Sequence, residues 1–357
     1  MSRLSPLPPA VDFENKWILK QLSQSYRALF ELKGYADIVP NKKVLLNAVL
    51  INESRDSVEL EDISATHDET LKAFSVEGYK NYSAEAVVNY RNALWHGLKK
   101  VVDNDTITIK TLSEIQERLQ VIKPGLRKQE TIEFKNEDEE DHFIYTPPRS
   151  EQEIMALLNN LEDYINKDDE TDPLLKTAVI HCQLLAINPF YSGNGRMARI
   201  LSILFLIFKD LLDSPILHLS KYLNRNQEAY SINTRSVTVE NRWADWILFF
   251  LKGIEEAAIE TLQALKEIDA YINNTTEKIK EILPGLYKNE LVDLLFLECY
   301  IQNKSLVEHL GVSRRTAYTY IAKLIDSGFL KEKKVGKSKI YYNEGYFELI
   351  KKTGTSR

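Results

Sequence analysis

One stretch near the middle of the chain restricts its fold more than any other: Asn188 to Arg199, reading NPFYSGNGRMAR, with the apolar run ILSILFLIFKDLL behind it. Pro189 has no N–H to give and forces its predecessor out of the α region, so the approaching helix must end there. Gly193 and Gly195 bracket Asn194, which lets the backbone bend and bring successive N–H groups to one point. The helix that follows stays apolar for several turns, so it belongs in the core. Its first turn carries Arg196 and Arg199, three residues apart and therefore on one face. Converging N–H groups, a helix N-terminus and two guanidinium groups make an anion site, and phosphate is its natural guest. The plainer alternative is a capped helix with two surface arginines.

The stretch resembles the core motif of the Fic family, whose enzymes mostly move AMP from ATP onto a protein hydroxyl. The family pattern is His-Pro-Phe-x-Asp/Glu-Gly-Asn-Gly-Arg-x-x-Arg. Pro189, Phe190, Gly193, Asn194, Gly195, Arg196 and Arg199 match it, whereas Asn188 stands at the catalytic histidine and Ser192 at the acidic residue. The resemblance implies ATP as substrate or ligand, held by Ser192, Gly193, Asn194, Gly195, Arg196 and Arg199. A second segment, SRDSVELED, resembles the family's inhibitory pattern Ser/Thr-x-x-x-Glu-Gly/Asn, giving Ser57 and Glu61 with Asp62 in the last place. That likeness implies a Glu61 pairing with Arg199, which would exclude the γ-phosphate. The alternative is a glutamate on a solvated acidic helix face. SKYLNRNQEAY (220–230) lies where the family binds adenine, so Tyr230 is either a pocket residue or core.

Both departures fall on the chemistry. The family's histidine takes the proton of a target hydroxyl; an asparagine amide cannot act as a base near neutral pH. Loss of a general base costs a factor of about 10² to 10⁴ in rate. Ser192 offers one neutral oxygen in place of the carboxylate that holds Mg²⁺, so the ion should bind more weakly, and no metal ligand is assigned. Three readings follow: a weakened adenylyltransferase, a nucleotide-binding regulator without catalysis, or hydrolysis of an AMP–protein bond with Glu61 orienting water. His181, seven residues before Asn188 and so on nearly the same helical face, reads as structural, as does His96.

The expected class is mainly α: a Fic-type helical core with a small β-hairpin flap and a C-terminal winged helix-turn-helix domain. Three regions are expected at 1–110 (with the inhibitory segment at about 57–62), 111–283 (with the flap at about 124–148) and 284–357. Helices are predicted at Lys16–Lys33, from Lys42 through Glu53, Asn81–Asp103, Thr111–Leu119, Ser150–Lys167 behind the capping pattern Ser150-x-x-Glu153, and from Pro173 into the motif. An aromatic-striped helix, Trp243–Ala257, and a charged one, Glu255–Ile282, come later. Two short strands around NEDEED form the flap, where family members hold a target protein by strand addition. The acidic tip itself, Glu137 to Asp141, reads as a solvated loop.

Charge divides the chain. Twelve Lys/Arg against five Asp/Glu from Tyr300 onward give +7, leaving −13 for the rest of a chain whose net charge is −6. An acidic body with a basic tail suggests different partners for the two. In the tail, SLVEHLGVSRRTAYTYIAKLIDSGFLKEKKVGKSKIYY reads as helix, turn at Gly311, second helix and a two-stranded wing. Ser313 would cap the second helix and place Arg314, Arg315, Thr316 and Tyr318 at its start, with Lys334 and Lys337 on the wing for phosphates. DNA contact and protein contact are equally served by such a domain. ATP, a target protein at the flap, DNA and a second copy of the chain are thus the partners to weigh; a membrane is not. No apolar stretch reaches spanning length, and Cys182 and Cys299 show no metal or disulfide spacing, which reads as a reducing, cytoplasmic setting.

Overall fold

The computed structural model describes residues 4–120, 124–128, 134–135, 143–285, 287–336 and 338–354, leaving aside the side chains of 134, 135, 143 and 144. The chain begins with α1 (Lys16–Ile38), whose N-cap Asn15 accepts a bond from the Trp17 N–H. Next come α2 (Lys42–Glu59), α3 (His67–Ser75), α4 (Tyr82–Asn104) and α5 (Ile109–Arg118). Two short antiparallel strands, β1 (Phe134–Lys135) and β2 (Phe143–Tyr145), precede α6 (Glu151–Asn166), α7 (Pro173–Ile187) and α8 (Asn194–Phe208). The body closes with α9 (Leu219–Arg225), α10 (Gln227–Glu240) and α11 (Trp243–Ile282).

The centre is the pair α7 and α8. Ten of the residues from Leu174 to Ile187 are apolar, and those of α7 are buried almost all round; α8 is buried from Arg196 to Leu206. Proline at the start of α7, behind an Asp172 side chain that caps Leu174 and Leu175, fixes where that helix begins. The two later helices expected around Ala257 are one: α11 runs for 40 residues without a break, because no proline interrupts it and its inward face stays apolar throughout. It packs along α1 and reaches α7, where the Trp246 indole donates to the Ala178 carbonyl at 2.8 Å. Helix α2 also exceeds its expected end at Glu53 and continues through Ser57 to Glu59. Asn52, Glu53, Ser54, Asp56 and Ser57 are buried within it, and each makes a hydrogen bond inside the protein.

After α11 come α12 (Asn289–Leu297), β3 (Tyr300–Ile301), α13 (Asn303–Leu310), α14 (Arg314–Asp326), β4 (Lys331–Val335), β5 (Ser338–Tyr342) and α15 (Glu344–Gly354). Gly311 turns between α13 and α14 at φ 63°, and the Ser313 hydroxyl caps α14 at the Thr316 N–H, 3.1 Å away. The sheet runs β3-β5-β4, all antiparallel, with Lys331 opposite Tyr342 and Val335 opposite Ser338. This C-terminal unit is docked on the body. The Asn52 amide donates to the Ile350 carbonyl (3.1 Å) and Arg55 to that of Gly354 (2.9 Å). Lys333 pairs with Asp68 at 2.8 Å, and Tyr300 donates to the same carboxylate. No described helix is long and apolar enough to cross a membrane. The flap tip, Glu137–Asp141, lies outside the described residues.

Candidate nucleotide site

The turn between α7 and α8 is built by a few side chains. Asn188 takes the left-handed conformation, φ 46° and ψ 58°, and its N–H still bonds to Leu184. Asparagine, aspartate and histidine are the non-glycine residues most at ease there, so the asparagine leaves the backbone undisturbed. Asn194 then clamps the loop from the far side: its Oδ1 accepts from the Phe190 N–H (3.0 Å) and its Nδ2 donates to the Phe190 carbonyl (2.9 Å). Arg127, fully buried, closes the end of α7 by donating to the carbonyls of Asn188 (2.6 Å) and Ile187 (3.3 Å) and to Pro148 (3.0 Å). A cation at a helix C-terminus is favourable, and this one ties the flap to the turn. Sequence reading missed it, since IKPGLRK looks like an ordinary strand lead-in.

At the start of α8 the anion position is filled from within the chain. The Glu61 carboxylate accepts from the Arg196 N–H (2.8 Å) and from Arg196 Nε (2.7 Å), with Arg199 Nη2 at 3.4 Å. Arg199 in turn gives its Nε to the Ser57 hydroxyl (2.6 Å) and its Nη2 to the Ser57 carbonyl (2.7 Å). The glutamate was expected on Arg199; its tight bonds are to Arg196, because Ser57 already engages Arg199. Gly195 makes the approach feasible, since a Cβ there would lie 3.0 Å from both Glu61 Oε1 and Arg199 Nη1. Asp62 sits at φ 59°, which accounts for a Gly/Asn preference at that place: the chain must turn left-handed straight after the glutamate.

Beneath these contacts lies a buried polar layer that sequence reasoning passed over. Glu53 accepts from the Tyr90 hydroxyl (2.9 Å), the Ser220 N–H (2.8 Å) and the Ser220 hydroxyl (2.6 Å). Burial raises its pKa, opposed by His218 and these donors. His218 meets Asp56 at 2.8 Å, and Arg55 reaches the same carboxylate from its other side. A glutamate on the apolar face of an amphipathic pattern was the available signal.

His181 is enclosed. The Ser202 hydroxyl donates to the Ala198 carbonyl (2.8 Å), so its oxygen accepts from His181 Nδ1, 2.9 Å away. That assigns the other nitrogen, Nε2, as acceptor for the Tyr230 hydroxyl at 2.7 Å. Burial, then the nearby Arg199, push the imidazole down to about 3, so it stays neutral. Tyr230 lies edge-on to His181 and against Trp246 and Phe249, with its hydroxyl turned to the histidine. Ser192 is half-buried in the turn. The residues do not fit a protein-held Mg²⁺: Ser192 brings one neutral oxygen, and among the described residues no group of three or more His, Cys, Asp or Glu is placed to hold a metal ion.

In the C-terminal unit Arg314, Arg315, Tyr318 and Lys334 are exposed, while the hydroxyls of Ser313 and Thr316 bond each other at 2.9 Å. Lys331, Lys333 and Lys339 are paired with Glu344, Asp68 and Glu332. Lys337 lies outside the described residues.

Residues 106–206, which include the whole turn, match the family described as Fic/DOC. Residues 19–99 match the Fic/DOC N-terminal family, and 271–346 the C-terminal domain of SoFic-like protein adenylyltransferases. The chain belongs to the Fic family. It is similar to protein adenylyltransferase fic-1 of Caenorhabditis elegans, 39% identical over 57 residues, a match spanning 15% of this chain and 11% of that protein. The fold is shared with a Fic family protein of Desulfovibrio desulfuricans G20 (TM-score 0.59, 15% identity), over 95% of this chain and 99% of that one. It is also shared with residues 134–508 of C. elegans Fic-1 (0.54, 16%), over 71% and 73% of the two chains. A Fic domain containing signaling protein of Bacteroides thetaiotaomicron (0.53, 19%) is covered over 95% of its length by 69% of this one. This is an adenylyltransferase-like member of the family.

Proposed function

We propose that the chain binds ATP over the turn Ser192–Arg199 and is a Fic-type AMP transferase held closed by Glu61, its chemistry slowed at Asn188 and Ser192. One observation carries this reading: a carboxylate of the chain already sits on the Arg196 N–H, the Arg196 guanidinium and, more loosely, Arg199. A helix N-terminus with paired arginines attracts an anion, and phosphate oxygens compete for the same donors. ATP binding in the productive pose therefore requires Glu61 to withdraw. The target protein's hydroxyl would approach along the flap, beside Asn188. There its proton finds no base, because the asparagine amide cannot take it and His181 is neutral and engaged on both nitrogens.

The test is incubation with α-labelled ATP and Mg²⁺, alongside calorimetry of ATP binding. The expected result is ATP binding by the unaltered chain with little label transferred. Failure to detect any nucleotide binding sinks the reading; strong labelling by the unaltered chain overturns the assignment of a lost base.

A second reading, a nucleotide-binding regulator acting through DNA, draws on Arg314 and Arg315, exposed at the start of α14 and without an ion pair among the described residues. It requires DNA binding that weakens steeply with salt and is lost in Arg314→Ala/Arg315→Ala. No mobility shift with any duplex at low salt removes it.

A further inference from the structure

A crevice of about 400 Å³ opens between α2, α3, α4 and the end of α12, and none of the nucleotide turn's residues lines it. Its walls are apolar and aromatic: Leu46, Leu71, Phe74 and Trp95, the last 41% exposed although it is a tryptophan. Into it comes Arg91 from α4. Its guanidinium stacks on Phe74, 3.8 Å from the ring centroid, and one nitrogen donates to Asn47 Oδ1 at 3.0 Å. The Asn47 amide nitrogen donates to the Leu297 carbonyl at 2.8 Å, which fixes the oxygen towards the arginine. The cation is therefore positioned by α2, α3 and α12 together. Of its five N–H donors, the Asn47 oxygen is the acceptor found among the described residues, and no carboxylate pairs with it. Desolvation alone brings its pKa down to about 10.

Placing a guanidinium in a partly dry crevice without a counter-ion is costly, and one held in a fixed pose beside a flat aromatic wall is arranged to receive an anion. Lys43, exposed, adds positive charge, while Glu298, half-buried in the lining and without an ion pair among the described residues, sets a limit on how much negative charge can enter. A monoanion fits this balance better than a phosphate dianion or a nucleotide. The volume lies at the lower end of small-molecule pockets, which run from about 300 to 1,000 Å³. We infer that this crevice is a binding site for a small aromatic monocarboxylate, with Arg91 as partner to the carboxylate and Phe74 and Trp95 as its aromatic walls. The site is separate from the nucleotide turn, and the inference does not depend on the reading of that turn.

The experiment titrates the full chain with phenylacetate and indole-3-acetate by calorimetry, with phenylacetamide as the neutral isostere and phenyl phosphate as the dianion. Both carboxylates are expected to saturate below about 10 mM, the amide to bind at least about tenfold more weakly, and the dianion to fall behind the carboxylates. Arg91→Gln should lose about tenfold or more in carboxylate affinity and leave ATP binding unchanged. Glu298→Gln, in the lining, should tighten carboxylate binding and narrow the gap to the dianion, which keeps the test decisive if Arg91→Gln fails to fold. Equal binding of phenylacetate and phenylacetamide, undiminished carboxylate binding by Arg91→Gln, or no saturation by either carboxylate overturns the site.

Discussion

Replacing Glu61 with glycine separates two effects that a merely structural glutamate would not separate. The carboxylate takes two bonds of 2.7 and 2.8 Å from Arg196 and a loose third from Arg199 at 3.4 Å. Charge-assisted bonds contribute about 1.5–3 kcal/mol each. The third is too long to add much, and the Glu61 side chain is 22% exposed, which trims the first two. A total of about 2–4 kcal/mol follows, close to the cost of leaving one partner of a buried pair alone. Without ligand, Glu61→Gly should melt several degrees below the unaltered chain. With ATP the order should reverse. The unaltered protein's affinity is reduced by the fraction of molecules whose glutamate has withdrawn, and at about 2 kcal/mol that penalty is roughly 30-fold. Calorimetry of ATP against Glu61→Gly should therefore give a dissociation constant about 30-fold lower or better. Glu61→Gln, which keeps the shape but not the charge, should fall between the two. An affinity changed by less than about threefold, or a melting loss equal with and without ATP, would refute the idea that the carboxylate stands in for phosphate.

Asn188→His with Ser192→Asp should fold normally, because histidine tolerates the left-handed conformation at φ 46°, and should raise label transfer by about 10² to 10⁴ in a single-turnover assay with α-labelled ATP. Asp68 gives a pH prediction: burial opposes its charge, but Lys333, Lys72 and Tyr300 outweigh it and bring its pKa down to about 2. Its folded pKa is below the unfolded value of about 3.9, so its contribution is present above about pH 4 and is lost as pH falls from there towards 2. Limited proteolysis of the C-terminal unit should become easier over that window, and Asp68→Asn should be equally susceptible on both sides of it. Gly354→Ala would put a Cβ within 2.8 Å of three atoms of the Asn52 side chain, so overpacking should cost about 1–3 kcal/mol, read as a lower melting temperature.

The mainly helical class and the turn at Asn188 were legible because they rest on strong local signals. Pro173 behind Asp172, Ser150 with Glu153 three residues on, and Gly311 before Ser313 each encode a helix end in one or two side chains. What stayed hidden depends on partners far along the chain. The end of α2 was placed at Glu53, but the helix runs on to Glu59, and its polar residues Asn52, Glu53, Asp56 and Ser57 are all buried. Each is buried only because Ile350, Ser220, His218 and Arg199 come to meet it. Arg127 is the same case: nothing local says that an arginine after Gly125 and Leu126 will cap a helix sixty residues later. The Glu61 contact was half legible. Its motif pointed to an arginine of the turn, but the choice of Arg196 over Arg199 follows from Ser57 engaging the latter, a matter of geometry and not of spacing.

Helix α2 therefore has two occupations, and they share residues. One end of its buried face secures Arg199 through Ser57 and leads into Glu61; three residues earlier Ser54 bonds back within the helix to Leu50, and between them Arg55 reaches Gly354 and Asp56 reaches His218. Arg55 goes to the last carbonyl of α15, and Asn52 one turn earlier goes to Ile350 of the same helix. Asn52 and Arg55 lie within two turns of Ser57 on the same helix, so one element holds both α15 and Arg199. Linkage makes any coupling between the two reciprocal: the free energy by which docking of the C-terminal unit changes nucleotide affinity is the free energy by which nucleotide changes that docking. The buried carboxylates follow from this arrangement. Glu53 and Asp56 are costly to bury, yet each bonds a residue of the 218–220 segment, and that segment leads into α9. They fix the helix's rotation about its own axis, and a rotation of about 100°, one residue's worth, would carry Ser57 away from Arg199 altogether.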